Sequence, residues 1–309
     1  MTAVALVVTV RDEADTIGQL LASVDAQTLR PDEVVVVDGG SSDATPDIAE
    51  RWARAGQRRT VVIAPGTNIA AGRNLGIATS TAPAVAVTDA GCVLDRHWLE
   101  RLTTALDGAD VAMGYYEPLT TRAFERIATC LTLPDAAEIN PERFMPSSRS
   151  IAFRRSVWER VGRYPEWLDV GEDMYFDFEL VRHGVSRRFV PDAIVRWRPR
   201  ATVRGFVRQY FRYARGDAVA GMYPRRHAAR FGAYAATAAL VALAFRWPWV
   251  VAIPVVGATV WLRPAYARAW RRLRAGRALA FATLPAIAAV QDVAKMAGYL
   301  SGLVRGAHR

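Results

Sequence analysis

The chain has 309 residues, of which 51% are hydrophobic and 23% are charged, so a disordered or fibrous protein is excluded. Its length predicts one domain of catalytic size with an appendage. The net charge of +10 is unevenly spread: 27 of the 30 acidic residues lie before residue 180, and residues 181–309 alone carry +20. A basic C-terminal part of this kind suits nucleic acid or an anionic membrane surface.

The first 115 residues alternate between short apolar runs and amphipathic stretches. Apolar runs at 3–10, 33–37, 61–64, 85–88 and 111–114 have the length of strands. Buried strands that alternate with helices predict an α/β fold with a mostly parallel sheet, in which ligands bind at the carboxyl ends of strands. Further strands are predicted at 150–153, 187–190 and 194–197, and helices at 17–24, 43–52, 70–78, 97–106, 124–133, 172–183 and 202–220.

The C-terminal part contains two charge-free segments, 231–245 and 247–262, and a mostly apolar segment, 278–304. Helices of 15 or 16 residues are about 23 Å long, whereas the hydrocarbon core is roughly 30 Å thick. The first two segments therefore predict a tight helical hairpin, a re-entrant pair or one long kinked helix. Arginines flank them on both sides, which places both flanks in the cytosol and favours the hairpin or the re-entrant pair.

The third segment, 278–304, predicts a further membrane helix or an interfacial amphipathic one. A buried helical subdomain of a soluble protein is the alternative for the whole C-terminal part. Nucleic acid is not expected as a partner, because long charge-free stretches have no place in a nucleic-acid groove.

Carboxylates follow three of the predicted strands. Glu13 lies just after the first strand, Asp38 ends the second, and Asp89 ends the fourth. Carboxylates gathered at one edge repel one another unless a cation or the hydrogen-bond donors of a ligand lie among them. Ribose hydroxyls, the imide N–H of a base or a divalent metal on a diphosphate would serve. For Asp43, which follows the second strand, a helix cap is favoured.

Other well-known site motifs are missing from the sequence. No glycine-rich dinucleotide fingerprint follows the first strand, and no phosphate-binding P-loop occurs. The sequence also lacks the zinc-protease helix motif and the nucleophile elbow of α/β-hydrolases. These absences disfavour dinucleotide enzymes and exclude P-loop, zinc-protease and elbow-type hydrolase sites.

Six segments together resemble a family 2 glycosyltransferase with the GT-A fold, over about residues 3–220. Two of them, with Arg198-Pro199-Arg200, resemble the succinoglycan-biosynthesis-type branch, whose members are membrane-associated and extend lipid-linked exopolysaccharide repeats. The six segments, in chain order, are residues 7–13, Val36-Val37-Asp38-Gly39-Gly40-Ser41-Ser42-Asp43-Ala44-Thr45, Ala70-Ala71-Gly72-Arg73-Asn74-Leu75-Gly76, residues 88–91, Gly171-Glu172-Asp173 and Gln209-Tyr210-Phe211-Arg212-Tyr213.

The resemblance implies donor-binding roles for several of these residues. Glu13 and Asp38 would contact the nucleoside, with Asp38 on the base, where a carboxylate that accepts the imide N–H favours uracil over cytosine. Arg73 would lie near the base or the diphosphate. Asp89 stands at the first position of the Asp-x-Asp metal motif, but Gly91 occupies the second. One carboxylate with diphosphate oxygens and waters can still hold Mg²⁺ or Mn²⁺, and full metal independence stays open.

The resemblance also implies roles on the acceptor side. Asp173 would be the general base that takes the proton from the acceptor hydroxyl, so that direct attack inverts the anomeric centre. Gln209 and Arg212 would face the diphosphate or the acceptor. The alternative for the pair of acidic residues at 172–173 is a helix-start charge pair.

The sequence thus predicts a GT-A domain at 1–220 and a membrane-associated helical region at 221–309. The expected activity is inverting transfer of a hexose from a nucleotide sugar, UDP-hexose, to a lipid-linked saccharide acceptor at the cytoplasmic face of the cell membrane. One alternative is a polyprenyl-phosphate glycosyltransferase that uses GDP-mannose or UDP-glucose. Another is a non-catalytic membrane scaffold that retains the fold. A sugar-phosphate nucleotidyltransferase would need a glycine-rich signature near the N-terminus that is absent.

Overall fold

A computed structural model describes residues 2–306, which divide into two compact units. Unit 1 contains residues 2–119 and 139–198, and unit 2 contains residues 120–138 and 199–306. The predicted catalytic domain ended at residue 220, whereas the helix at 203–219 groups with the C-terminal helices in unit 2.

Unit 1 is built on an eight-stranded sheet in the order β3-β2-β1-β4-β7-β6-β8-β5. The first four strands in this order, β3, β2, β1 and β4, are mutually parallel, which fits their connection through helices. β6 and β8 are also parallel, while β7 and β5 run antiparallel to their neighbours. The strands are β1 (Val4–Val10), β2 (Glu33–Asp38), β3 (Arg59–Ile63), β4 (Ala84–Asp89), β5 (Cys92–Leu94), β6 (Val111–Pro118), β7 (Ile151–Arg154) and β8 (Arg187–Trp197).

Helices cover both faces of this sheet. Alternate residues of β1 point to opposite faces, so Leu6 packs in one hydrophobic cluster with the side chains of α1 and α4, and Val7 packs in another with those of α3 and α7. The result is the three-layer α/β architecture that the sequence predicts, and it is consistent with the GT-A fold. The helices of unit 1 are α1 (Ile17–Asp25), α2 (Thr45–Arg54), α3 (Ile69–Thr79), α4 (Trp98–Ala105), α6 (Arg155–Arg160) and α7 (Glu172–Arg182).

Unit 2 is all helical within its described residues. A short 3₁₀ turn, Pro248–Val251, lies just after Arg246, the residue that separates the two charge-free segments. Two stretches are long and apolar enough to cross a membrane, Pro248–Arg272 and Arg277–Val304. The helices are α5 (Ala123–Thr132), α8 (Val203–Val219), α9 (Pro224–Ala244), α10 (Ala252–Arg272) and α11 (Arg277–Gly306).

Residues 120–138 join unit 2 because they supply partners for basic residues of α10. Arg271 donates to Asp135 at 2.6 Å and to Glu138 at 2.5 Å, and Arg268 donates to the carbonyl oxygen of Cys130 at 2.8 Å. Part of the positive charge of the C-terminal region is therefore neutralised inside the unit.

The structure differs from the predicted elements at three places: β8, β5 and α6. The predicted strands at 187–190 and 194–197 form one continuous strand, β8. All of β6 pairs with these two parts of β8, and the register of the pairing shifts after Gly114. The short strand β5 and the helix α6 were not predicted, since three or six residues are too few for a hydrophobic period to show.

Candidate functional site

The predicted site carboxylates gather at one edge of the sheet. β2, β1 and β4 are adjacent and parallel, so their carboxyl ends lie side by side. Asp38 is the last residue of β2, Asp89 is the last residue of β4, and Glu13 follows β1 by three residues. This edge is where an α/β sheet places its ligands.

A buried arginine lies at the centre of this edge. Arg73, on α3, is 1% exposed, and its guanidinium donates from Nη2 to Oδ1 of Asp89 and from Nη1 to Oε1 of Glu172, both at 2.6 Å. It also stands over the ring of Tyr164, 5.3 Å from the ring centre. The guanidinium thus joins the end of β4 to the first turn of α7. Its Nε is buried and has no hydrogen-bond partner among the described residues.

The buried ion pairs shift the pKa values of their members. Burial lowers the pKa of Arg73, but Asp89 and Glu172 more than offset this, so the net shift is upward and the guanidinium stays charged. Burial, followed by the charge of Asp173, raises the pKa of Glu172 from 4.5 to about 7, while Arg73 opposes the shift. The Arg73 cation lowers the pKa of Glu172 by less than burial and the Asp173 charge raise it.

We expect Glu172 to make the stability of the protein fall as the pH rises from about 4.5 to about 7. The folded-state pKa of Glu172 lies above the ordinary value, so its contribution is fully present below about pH 4.5 and is lost as the pH rises through about 7. Glu172→Gln can still accept from Arg73 but cannot ionise, so it should flatten this part of the profile. Melting temperatures of the detergent-purified protein between pH 5 and 8 measure the effect. An unchanged slope in the variant would mean that Glu172 is ionised throughout.

The segment around Arg73 is built for close packing. A Cβ on Gly76 would lie 2.5 Å from Cγ1 of Val7, so only glycine lets α3 approach β1 this closely. Asn74 accepts from the indole N–H of Trp158 at 2.9 Å and donates to the carbonyl oxygen of Tyr164 at 2.9 Å. The Ala-Gly-Arg-Asn segment therefore anchors α3 to the sheet and to the chain before α7, and turns Arg73 inward.

Asp173 differs from the other carboxylates of α7 in its exposure. It is half-buried, and its Oδ1 accepts the backbone N–H of Met174 at 2.8 Å. Glu172 and Asp177 are buried. Burial and the charge of Asp173 raise the pKa of Asp177 well above its usual range, and its Oδ2 has no partner among the described residues. Among these three, Asp173 is the carboxylate that a substrate can reach.

Asp38 has a structural role in the turn that follows β2. The residue is 0% exposed, and both carboxylate oxygens are engaged by its own turn. Oδ1 accepts the N–H groups of Gly40 and Ser41 at 2.8 and 2.7 Å, and Oδ2 accepts the Ser41 hydroxyl at 2.7 Å. Asp38 therefore organises the turn after β2, and its expected contact with the base stays a prediction. The N-cap position of α2 is Ala44, and Asp43 just before it accepts the backbone N–H of Thr45, the first residue of α2, at 3.0 Å.

Asp38→Asn separates these two roles. Asparagine cannot accept the Ser41 hydroxyl at the amide nitrogen, so we expect a loss of about 1–3 kcal/mol in the free energy of unfolding. The ratio of UDP to CDP affinity should stay as in the wild type. Thermal unfolding and calorimetric titration of both nucleotides measure this. If the variant has normal stability but no longer distinguishes UDP from CDP, Asp38 contacts the base of the nucleotide.

Glu13 lies beside the glycine that replaces the second metal-motif aspartate. Gly91 has a φ of +78°, and a Cβ built there would lie 3.4 Å from Oε2 of Glu13. The same Glu13 oxygen accepts the hydroxyl of Thr16. The Glu13 carboxylate thus occupies the space into which a side chain at position 91 would project. Within the described residues, no group of three His, Cys, Asp or Glu side chains could hold a metal ion.

The two remaining predicted residues belong to unit 2. Gln209 and Arg212 lie on α8, where Gln209 is half-buried and donates to the hydroxyl of Tyr213 at 2.7 Å, and Arg212 is exposed. Their expected place at the diphosphate or the acceptor stays a prediction. Glu172 was quoted in the sequence analysis only as part of a motif, and no sequence pattern indicated that Arg73 would bind it.

Two family models match the chain. The model for glycosyl transferase family 2 matches residues 5–161, which contain Glu13, Asp38, Arg73 and Asp89. The model for glycosyl transferase family group 2 matches residues 111–290, which contain Asp173 and most of unit 2. The matches overlap and together cover both units.

Curated relatives point the same way. The chain is 28% identical over 230 residues to glycosyltransferase AglE of Haloferax volcanii, covering 72% of this chain and 75% of that protein. It is 23% identical over 210 residues to the O-antigen chain rhamnosyltransferase RfbN of Salmonella typhimurium, covering 62% and 65%. It is 29% identical over 216 residues to a pre-mycofactocin glycosyltransferase of Mycobacterium tuberculosis, covering 66% of this chain and 44% of that protein.

Proposed function

Since the chain belongs to glycosyl transferase family 2, we propose that it transfers a hexose from UDP-hexose to a lipid-linked saccharide acceptor at the cytoplasmic face of a membrane, with inversion. The observation that carries the proposal is the Arg73 bridge, which ties the donor-side carboxylate Asp89 to the helix start that presents Asp173. A non-catalytic scaffold would not need a half-exposed carboxylate beside a buried ion-pair network.

On the donor side, Asp89 stands at the first position of the metal motif and would face the diphosphate. Arg73 engages Oδ1 of Asp89. The Glu13 carboxylate fills the space beside Gly91. The Asp89 carboxylate together with diphosphate oxygens and waters would fit Mg²⁺ or Mn²⁺, which take oxygen ligands and, for Mg²⁺, keep several waters. When bound, the ion would neutralise charge that develops on the leaving diphosphate.

On the acceptor side, Asp173 takes the proton from the attacking hydroxyl. Its exposure makes it reachable, while burial keeps Glu172 and Asp177 from the substrate. The proton on the hydroxyl passes to the carboxylate as the oxygen forms its bond to the anomeric carbon and the bond to the diphosphate oxygen breaks. One attack from the face opposite the leaving group inverts the centre and needs no carboxylate nucleophile.

Membrane attachment is proposed from unit 2. Two of its helical stretches are long and apolar enough to cross a membrane, and most of their surface is exposed. An acceptor with a polyprenyl chain stays in the bilayer, so an enzyme held at the same surface meets it without extraction. The arginines on both sides of the apolar segments favour the cytoplasmic face.

The test is a donor screen with full-length protein in detergent, read as release of the nucleoside diphosphate. The donors are UDP-glucose, UDP-galactose, GDP-mannose and a nucleotide-activated rhamnose, because one relative is a rhamnosyltransferase. Each is assayed with Mg²⁺, with Mn²⁺ and with a chelator. Release from a UDP-hexose that rises with added metal supports the proposal. Release from GDP-mannose alone would change the proposed donor from a UDP-hexose to GDP-mannose. If no nucleoside diphosphate is released from any donor, the proposal is overturned.

A further inference from the structure

Residues 231–262 are called here the apolar hairpin. Nearly all of their apolar side chains are exposed on the surface of the protein. These residues form most of α9, the 3₁₀ turn and the first half of α10. The exposed fraction is 92% for Phe245, 70% for Trp249 and 66% for Val260. A helix on the surface of a soluble protein buries one apolar stripe and turns a polar face to water. These two helices are apolar on all sides and exposed on nearly all sides, which matches a lipid environment.

The two helices of the apolar hairpin are fixed at separate points of α11. Arg230, at the base of α9, donates to Asp292 at 2.7 Å, while Ala265 and Ala269 of α10 pack in one cluster with Leu284. Asp292 and Leu284 are eight residues apart on α11, or about 12 Å along its axis. The bases of the two helices are therefore held at different points of α11, and most residues between them and the tip are exposed.

The spacing of charges along the apolar hairpin fits a full crossing. Arg230 and Arg246 are separated by about 24 Å of helix, and the helical rise from Arg246 to Arg263 would be about 26 Å. Arginine side chains extend toward the headgroups, which makes up the difference from a hydrocarbon core of roughly 30 Å. Trp247 and Trp249 lie beside Arg246 at the tip, as in the aromatic belt of a membrane interface. A tip at the midplane would instead leave Arg246 in hydrocarbon, which is unfavourable.

The third apolar segment behaves differently. α11 packs lengthwise on α8: a Cβ on Gly302 would lie 2.5 Å from the carbonyl oxygen of Arg215, and Lys295 stands over the ring of Tyr210 at 4.9 Å. α8 carries exposed arginines, among them Arg208 and Arg212. If α11 crossed the bilayer, this charged helix would enter the hydrocarbon with it. The pair suits the interface, where arginines meet headgroups and apolar side chains meet acyl chains.

We infer that the chain crosses the bilayer through the apolar hairpin, with its tip at the far face, and that α11 lies along the near interface. The inference rests on the proposed membrane attachment and adds its topology. The base carries Arg225, Arg226 and Arg230 on one side and a run of arginines after Arg263 on the other, against Arg246 at the tip. The base is therefore cytoplasmic and the tip faces outward.

The experiment uses single added cysteines in the full-length chain. Cys92 and Cys130 are buried, so the wild type is the background control. Trp249→Cys reports on which side of the membrane the tip lies. Arg225→Cys does the same for the base, and Val304→Cys for the end of α11. All three positions are exposed. Spheroplasts are treated with a membrane-impermeant maleimide before and after permeabilisation, and membranes are washed with high salt. We expect Trp249→Cys to react in intact spheroplasts, and the other two only after permeabilisation.

Each other result overturns the inference. Reaction of Trp249→Cys only after permeabilisation means a re-entrant or interfacial hairpin, and reaction only in denaturant means a tip covered by lipid or by a second copy. Reaction of Val304→Cys from outside means that α11 spans. Release of the protein by salt means electrostatic attachment and also removes the proposed insertion. Donor hydrolysis by the detergent-purified protein is independent of these outcomes, so a failed topology and a failed enzymatic function can be told apart.

Discussion

Asp173→Asn should lower turnover by roughly 10²–10⁴-fold and leave the affinity for UDP nearly unchanged, since this is the usual contribution of a general base. The amide has almost the same size as the carboxylate and can still accept the backbone N–H of Met174. It cannot take a proton, so attack would rely on an unassisted hydroxyl. Nucleoside diphosphate release with acceptor present gives the rate, and calorimetric titration gives UDP binding.

The matched control for this variant is Asp169→Asn, which makes the same chemical change at an exposed position shortly before α7. It should keep the wild-type rate. If Asp173 served only as a negative charge at the start of α7, asparagine would substitute well, because the two residues cap helices about equally. A near-normal rate in Asp173→Asn would therefore assign the residue to structure. The anomeric configuration of the product, read by NMR, tests inversion separately.

Much of the α/β architecture of unit 1 could be predicted from the sequence, because buried strands leave valine-rich runs such as those at 3–10 and 33–37. The gathering of Asp38 and Asp89 at one edge followed from the same pattern, since carboxyl ends of parallel strands lie together. The grouping of residues 120–138 with the C-terminal helices could not be predicted, because it depends on ion pairs such as Arg271 with Asp135 that are far apart in sequence.

The roles of individual side chains were harder to predict than their positions. An aspartate after a strand fits the same sequence pattern whether it faces a ligand or its own turn. The hydrogen bonds that Asp38 accepts within its turn depend on local geometry that this pattern does not show. In the same way, the sequence pattern around an arginine on a helix does not indicate whether its side chain is buried, and Arg73 is only 1% exposed. Its inward direction follows from the close approach of α3 to β1 at Gly76, a packing detail with no periodic pattern.

Replacing Arg73 should have the largest effect on the folded protein. Arg73→Met leaves Glu172 buried and Asp89 partly buried without their cation, and breaking a buried ion pair costs about 3–5 kcal/mol. We expect a much lower melting temperature and no measurable turnover. Arg73→Lys keeps the charge but has no planar fork to reach both carboxylates at once, so it should recover only part of the stability.

The double variant Arg73→Met with Glu172→Gln distinguishes a buried bridge from a direct donor contact. Without the guanidinium, Glu172 must either stay buried as an unpaired charge or take up a proton, and Glu172→Gln removes that cost. At pH 8 the melting temperature of the double variant should therefore rise above that of Arg73→Met alone. If Arg73 instead contacted the base or diphosphate, as the sequence resemblance implied, Arg73→Met would weaken UDP binding at an unchanged melting temperature, and Glu172→Gln would restore nothing. Thermal unfolding and UDP titration of the two single variants and the double variant decide between these roles, because only the bridge makes the stability effects of positions 73 and 172 non-additive.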